Sequence, residues 1–151
     1  VSTSGIPKMI IKMADEHPRF KLAVSLHSAI EETRNEIMPF STSFPLTDLQ
    51  DSIQYWFSKT KERVTYEYVV WKDINDSPAE IDALVRFCKK TPSKVNLIEY
   101  NPVGNHHFNQ ADDNAINQYV TALEKNHIPI TIRRSRGKDI DAACGQLANK
   151  T

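Results

Sequence analysis

Residues 64–100 read VTYEYVVWKDINDSPAEIDALVRFCKKTPSKVNLIEY, and this stretch decides the fold. Val64 to Trp71 is a run of β-branched and aromatic residues, the composition of a strand. Asn75-Asp76 begins a turn. Ser77, Pro78 and Glu80 then fall at the N-cap, first and third positions of a helix, where hydroxyl and carboxylate can each satisfy an orphan backbone donor. Ile81, Leu84, Val85 and Cys88 share one helical face, and Val95 to Tyr100 is a second strand. Strand, helix and strand at this spacing favour parallel pairing through a right-handed crossover.

The same alternation continues on both sides. Upstream, a helix is expected after Ser4 as N-cap, with Ile6, Met9, Ile10 and Met13 on one face, stopped by Pro18. Phe20 to Leu26 reads as a nearly continuous apolar strand, Ala29 to Ile37 as a short helix, and Leu46, Leu49, Ile53, Trp56 and Phe57 as the buried stripe of a helix that begins near Pro45. Downstream, Ile116, Tyr119, Val120 and Leu123 stripe another helix, and Ile128 to Arg133 is a last strand that Pro129 marks as an edge. The class is α/β with mainly parallel strands. Four such strands cannot close a barrel, so the sheet is expected to be open. The chain begins with Val1 in a strand-like stub, Val1 to Gly5, and is expected to be a segment of a larger protein.

Length and composition agree with one globular unit. The 151 residues are 40% hydrophobic and 25% charged, with 19 basic and 19 acidic side chains. A chain this long can bury a core without disulfides or structural metal. The balanced charge speaks against a histone-like basic blanket, though not against a local basic patch. The absence of an apolar run of helix-spanning length excludes a transmembrane helix. Cys88 and Cys144 are too few for a disulfide scaffold or a self-contained zinc site, which favours a reducing, cytoplasmic setting.

In parallel α/β proteins ligands bind at the carboxyl ends of the strands. Here those ends are Ser2-Thr3-Ser4-Gly5, Ser25-Leu26-His27-Ser28, Lys72-Asp73 with Asn75-Asp76, and Tyr100-Asn101-Pro102. All are polar, which suits a hydrogen-bonding small molecule, yet Ser, Asn and Asp also end strands simply by making turns and caps. His27 is either a donor to a ligand or a satisfied structural group. Glu67 interrupts an apolar strand and implies a partner or a polar cavity. His106-His107 with Asp112 and Asp113 is a poor metal set, because adjacent histidines point apart. Arg133, Arg134, Arg136 and Lys138 form a basic run that suits phosphates or remains a solvated loop. Cys88 lies on an apolar stripe and reads as an inert small hydrophobe, whereas Cys144, in a loop after that basic run, is a candidate nucleophile.

Four strings carry more than this. Ser2-Thr3-Ser4-Gly5, Ala23-Val24-Ser25-Leu26-His27, residues 96–102 (NLIEYNP) and residues 136–147 (RGKDIDAACGQL) closely resemble the RlmN/Cfr family of radical S-adenosylmethionine RNA methyltransferases, with the likeness running almost end to end. The resemblance implies a partial (β/α) barrel. It implies that Ser2, Ser25, Leu26, His27 and Asn101 contact S-adenosylmethionine, and that Cys144 is the methyl-carrying cysteine. One S-adenosylmethionine would methylate its thiolate, and a second, reduced by a [4Fe–4S] cluster fed by an electron donor, would yield a 5′-deoxyadenosyl radical that activates the S-methyl group for addition to an adenine. A second cysteine would then release the product by forming a disulfide with Cys144. C2 of an adenine in 23S ribosomal RNA, with transfer RNA as a further candidate, is the implied target of a cytoplasmic, monomeric enzyme. A Cfr-like enzyme acting at C8, a non-enzymatic RNA-binding module and an ordinary α/β enzyme with a cysteine nucleophile are the rivals. The sequence departs from the family by lacking its three-cysteine cluster motif, its Gly-Glu-Pro element, its N-terminal RNA-binding domain and its resolving cysteine. Residues 1–151 alone are therefore expected to be catalytically inert, with no metal ligands of their own.

Overall fold

The computed structural model describes residues 1–16, 18–101 and 109–136. Five strands alternate with helices: β1 (Ser2–Thr3), α1 (Pro7–Glu16), β2 (Ala23–Ser25), α2 (Glu31–Ile37), a 3-10 turn (Pro39–Ser43), α3 (Leu46–Thr60), β3 (Val64–Val70), α4 (Pro78–Cys88), β4 (Ser93–Asn101), α5 (Asp113–Lys125) and β5 (Ile130–Arg136). The strands lie side by side in chain order, each parallel to the next, in a sheet that stays open. The α/β class and the open parallel sheet agree with the sequence reading. The strand count does not: the stub at the start pairs in parallel with β2, Ser2 opposite Ala23 and Thr3 opposite Val24, and makes a fifth strand.

Side chains alternate across the sheet, and the two faces differ in chemistry. Val24, Tyr66, Tyr68, Val95 and Leu97 point toward α1, α3, α4 and α5 and form the main core with Ile10, Leu49, Ile53, Trp56, Leu84, Ile116 and Leu123. On the opposite face, a smaller cluster of Ile37, Met38, Val69, Trp71, Ile98 and Tyr100 places α2 and the 3-10 turn over the ends of β3 and β4.

Several local expectations shift. Apolar composition predicts a strand from Phe20, yet β2 is only three residues and Phe20 is half exposed, because its partner β1 offers only two residues of ladder. Pro7, not the residue after Ser4, opens α1, since its fixed φ suits a first helical position; Ile6 provides the carbonyl that Ile10 uses. Phe57 is half-buried at the margin of its stripe, with Lys61 Nζ 5.9 Å from its ring centre. Ser77 does cap α4, its hydroxyl accepting from Glu80 N–H at 3.4 Å. The Glu80 carboxylate, however, turns inward to accept from Ser28 Oγ and leaves the capping box half-made. Pro129 precedes β5, which is an edge strand of the described sheet.

Candidate functional site

A cavity of about 670 Å³ is lined both by residues of the sheet face opposite the main core and by α1. Val1, Ser2, Thr3 and Ser4 border it along β1 and its flanks, Ser25 and His27 at the end of β2, Glu67 and Ile98 from β3 and β4, and Arg133 from β5. Ile6, Met9 and Met13 form an apolar side, which explains why Met9, on the apolar stripe of α1, is half exposed. Of the expected ligand contacts, Ser2, Ser25 and His27 thus meet around one space. Leu26 does not join them: its side chain is fully buried in the helix-side core, its N–H donates to Glu67 O, and its carbonyl accepts from Arg34 Nε and from Ser28 N–H. Asn101 ends β4. Cys144, Lys138 and the His106-His107 pair lie outside the described residues.

His27 is fully buried in a left-handed conformation (φ 59°) and stacks edge-on against Trp71, with 5.5 Å between ring centres. Its Nδ1 accepts from Val69 N–H at 3.0 Å, so the ring hydrogen belongs on Nε2. Burial, and secondarily the Arg34 cation, hold its pKa at about 3. The imidazole is neutral at physiological pH and is a hydrogen-bond donor, not a proton shuttle.

Arg34 is the residue that sequence reasoning passed over. It is fully buried, and its guanidinium gathers the carbonyls that end two neighbouring strands: Nη2 donates to Ser4 O at 2.9 Å and Ser25 O at 3.3 Å, Nε to Leu26 O at 3.2 Å. Burial lowers its pKa to about 10, partly opposed by Glu31, so it stays charged. Gly5 makes room for it: with φ at +94°, a Cβ there would lie 3.0 Å from Arg34 Nη2. The signal was available, since Arg34 stands four residues after Ile30 and three before Ile37, a cation within an apolar stripe.

The polar strand ends divide between the two roles left open by the sequence. Asn75 is wholly structural: it is fully buried, Nδ2 donates to His27 O and Val69 O, both at 2.7 Å, and Oδ1 accepts from Trp71 N–H at 2.7 Å. Ser28 pairs with Glu80 and accepts from Ile30 N–H. The basic run divides too, because adjacent strand residues face opposite ways. Arg133 lines the cavity, while Arg134 pairs through Nε with Glu99 Oε2 at 3.0 Å. Cys88 is buried on α4, and burial pushes its thiol up to about 12, the inert state expected of it. Among the described residues no group of three His, Cys, Asp or Glu side chains is placed to hold a metal, and no helix is long and apolar enough to cross a membrane.

No family model matches the chain. It is 65% identical over 150 residues to a probable dual-specificity RNA methyltransferase RlmN of Flavobacterium psychrophilum, and 62% identical over 151 residues to a protein of the same description from Christiangramia forsetii. In both cases the alignment takes in at least 99% of this chain and 43% of the relative, so the chain spans less than half of their length. Among solved structures, a radical SAM methyltransferase from Sphaerobacter thermophilus superposes with a TM-score of 0.86 at 39% identity, over 97% of this chain and 43% of that one. A domain of a pyruvate-formate lyase-activating enzyme from Bacteroides vulgatus superposes with a TM-score of 0.62 over 80% of this chain and 73% of that one; at 14% identity it shares the fold alone.

Proposed function

We propose that this chain, which belongs to the RlmN/Cfr family of radical S-adenosylmethionine RNA methyltransferases, supplies the S-adenosylmethionine-facing wall and the methyl-carrying cysteine of an enzyme that methylates C2 of an adenine in 23S ribosomal RNA and in transfer RNA. The identity of 62 to 65% over the whole chain is the observation that carries this reading. The lining of the cavity supports this reading: Ser2, Ser25, His27 and Glu67 are polar residues on it, and Ile6, Met9 and Met13 are apolar ones. S-adenosylmethionine supplies the methyl group and, in this family, the radical chemistry. The described residues do not fit an iron–sulfur cluster, because Cys88 is buried in a helix–sheet core and has no companion thiolates. Cluster ligands would belong to other parts of a protein of the relatives' length.

The chain's own contribution is binding and placement. Arg34 fixes the strand-end carbonyls, which fixes the direction in which the Ser25 and His27 side chains enter the cavity. Held neutral, His27 adds no further cation to a cavity that Arg133 already lines. Cys144 Sγ accepts the methyl group and holds it for transfer to the base. The target adenine must be presented unstacked. In the complete protein, Cys144→Ser is expected to abolish the 14 Da gain on the target adenosine in mass spectra of treated RNA, an increment of about one methylene as the family's chemistry requires. Persistence of that gain refutes the role of Cys144.

A further inference from the structure

We propose that Glu67 is a binding residue for the nucleoside part of S-adenosylmethionine, its Oε2 accepting a hydrogen bond from a ribose hydroxyl. The inference rests on the reading of the cavity as an S-adenosylmethionine site. Glu67 lies in the middle of β3, the central strand, in one row with Ser25 on β2 and Asn96 on β4. Its neighbours Tyr66 and Tyr68 point into the main core, so alternation turns Glu67 toward the cavity, which it lines. Asn96 Nδ2 donates to Oε1 at 3.2 Å and fixes the carboxylate. Oε2 is buried and has no hydrogen-bond partner among the described residues.

A buried acceptor without a donor is destabilising, more so when it is charged, so a site that keeps one has a use for it. The row register shows why Arg133 does not fill this role. Thr131 is the β5 residue in the Glu67 row, whereas Arg133 is paired with Ile98 one layer further along, and no ion pair joins the two among the described residues. Arg133 nonetheless lines the same cavity, so a ligand ammonium brought to Glu67 would share the space with a guanidinium. A neutral hydroxyl meets no such opposition. A carboxylate accepting from a ribose hydroxyl is a recurrent means of recognising a nucleoside.

The test is calorimetric titration of the complete protein with S-adenosylhomocysteine and with its 2′-deoxy and 3′-deoxy analogues. Wild type is expected to bind one deoxy analogue at least about 10-fold more weakly than the parent compound, the size of a hydrogen bond to a charged group. Glu67→Gln is expected to bind the parent compound about 10-fold more weakly and to lose the discrimination between hydroxyl and deoxy ligands. Equal affinity of wild type for all three compounds overturns the proposal, and this arm needs no variant. A Glu67→Gln protein that weakens all three alike, or that leaves the discrimination intact, also overturns it. If wild type binds none of the three, the S-adenosylmethionine reading of the cavity fails and takes the proposal with it.

Discussion

His27 shows how far environment changes a side chain's chemistry. A free imidazole titrates near neutrality, but this one is buried, spends Nδ1 on Val69 N–H and sits close to the Arg34 cation. With the folded-state pKa at about 3 against 6.5 in the unfolded chain, the unfolded state binds the extra proton throughout the interval between them. Stability is therefore fully present above about pH 6.5 and declines as pH falls toward 3. His27→Asn keeps an acceptor for Val69 N–H and removes the titration. Urea unfolding across pH 4 to 7 is expected to show wild type losing up to about 1.4 kcal/mol per pH unit relative to this variant. Parallel pH profiles would contradict the assignment.

At the scale of elements, the short strands β1 and β2 depend on a helix. Two and three residues of ladder are too little to fix strand ends, and the Arg34 guanidinium on α2 supplies the remaining restraint through Ser4 O, Ser25 O and Leu26 O. Arg34→Met preserves the length of the side chain and removes its donors. It is expected to cost about 2–4 kcal/mol in urea unfolding, since buried carbonyls lose their partners while a desolvated charge is relieved. A loss below about 1 kcal/mol would mean that the ends of β1 and β2 are held by their ladders alone.

At the scale of the whole molecule, one buried polar chain crosses the sheet from α5 to the end of β2. Tyr119 OH donates to Asn75 O and is 2.9 Å from Tyr68 OH; Asn75 holds His27 O and Val69 O; Val69 N–H holds His27 Nδ1. Packing at the back of the sheet is thereby connected to the cavity at its front. Tyr119→Phe is expected to cost about 1–2 kcal/mol and Asn75→Ala about 3 kcal/mol, with the double variant costing less than the sum because the same links are broken twice. Additive losses in chemical denaturation would show that the links act independently.

Sequence periodicity by itself determined the α/β class, the five helices, the parallel strands and the buried fate of Cys88, because apolar spacing and cap chemistry are local and one face of each element must be buried. The four quoted strings, with residues 136–147 the longest, also carried the resemblance to the RlmN/Cfr family, and Glu67 announced itself as a carboxylate among apolar neighbours. Only the tertiary structure decided that Ser2 pairs with Ala23 to give a fifth strand, that Asn75 is structural while Ser25 faces the cavity, that Arg133 and Arg134 part to opposite faces, and that Arg34 closes two strand ends. The physical reason is common to all four. Each depends on which distant backbone atoms are brought within hydrogen-bonding reach, and that is a property of the assembled sheet, not of any single stretch of chain.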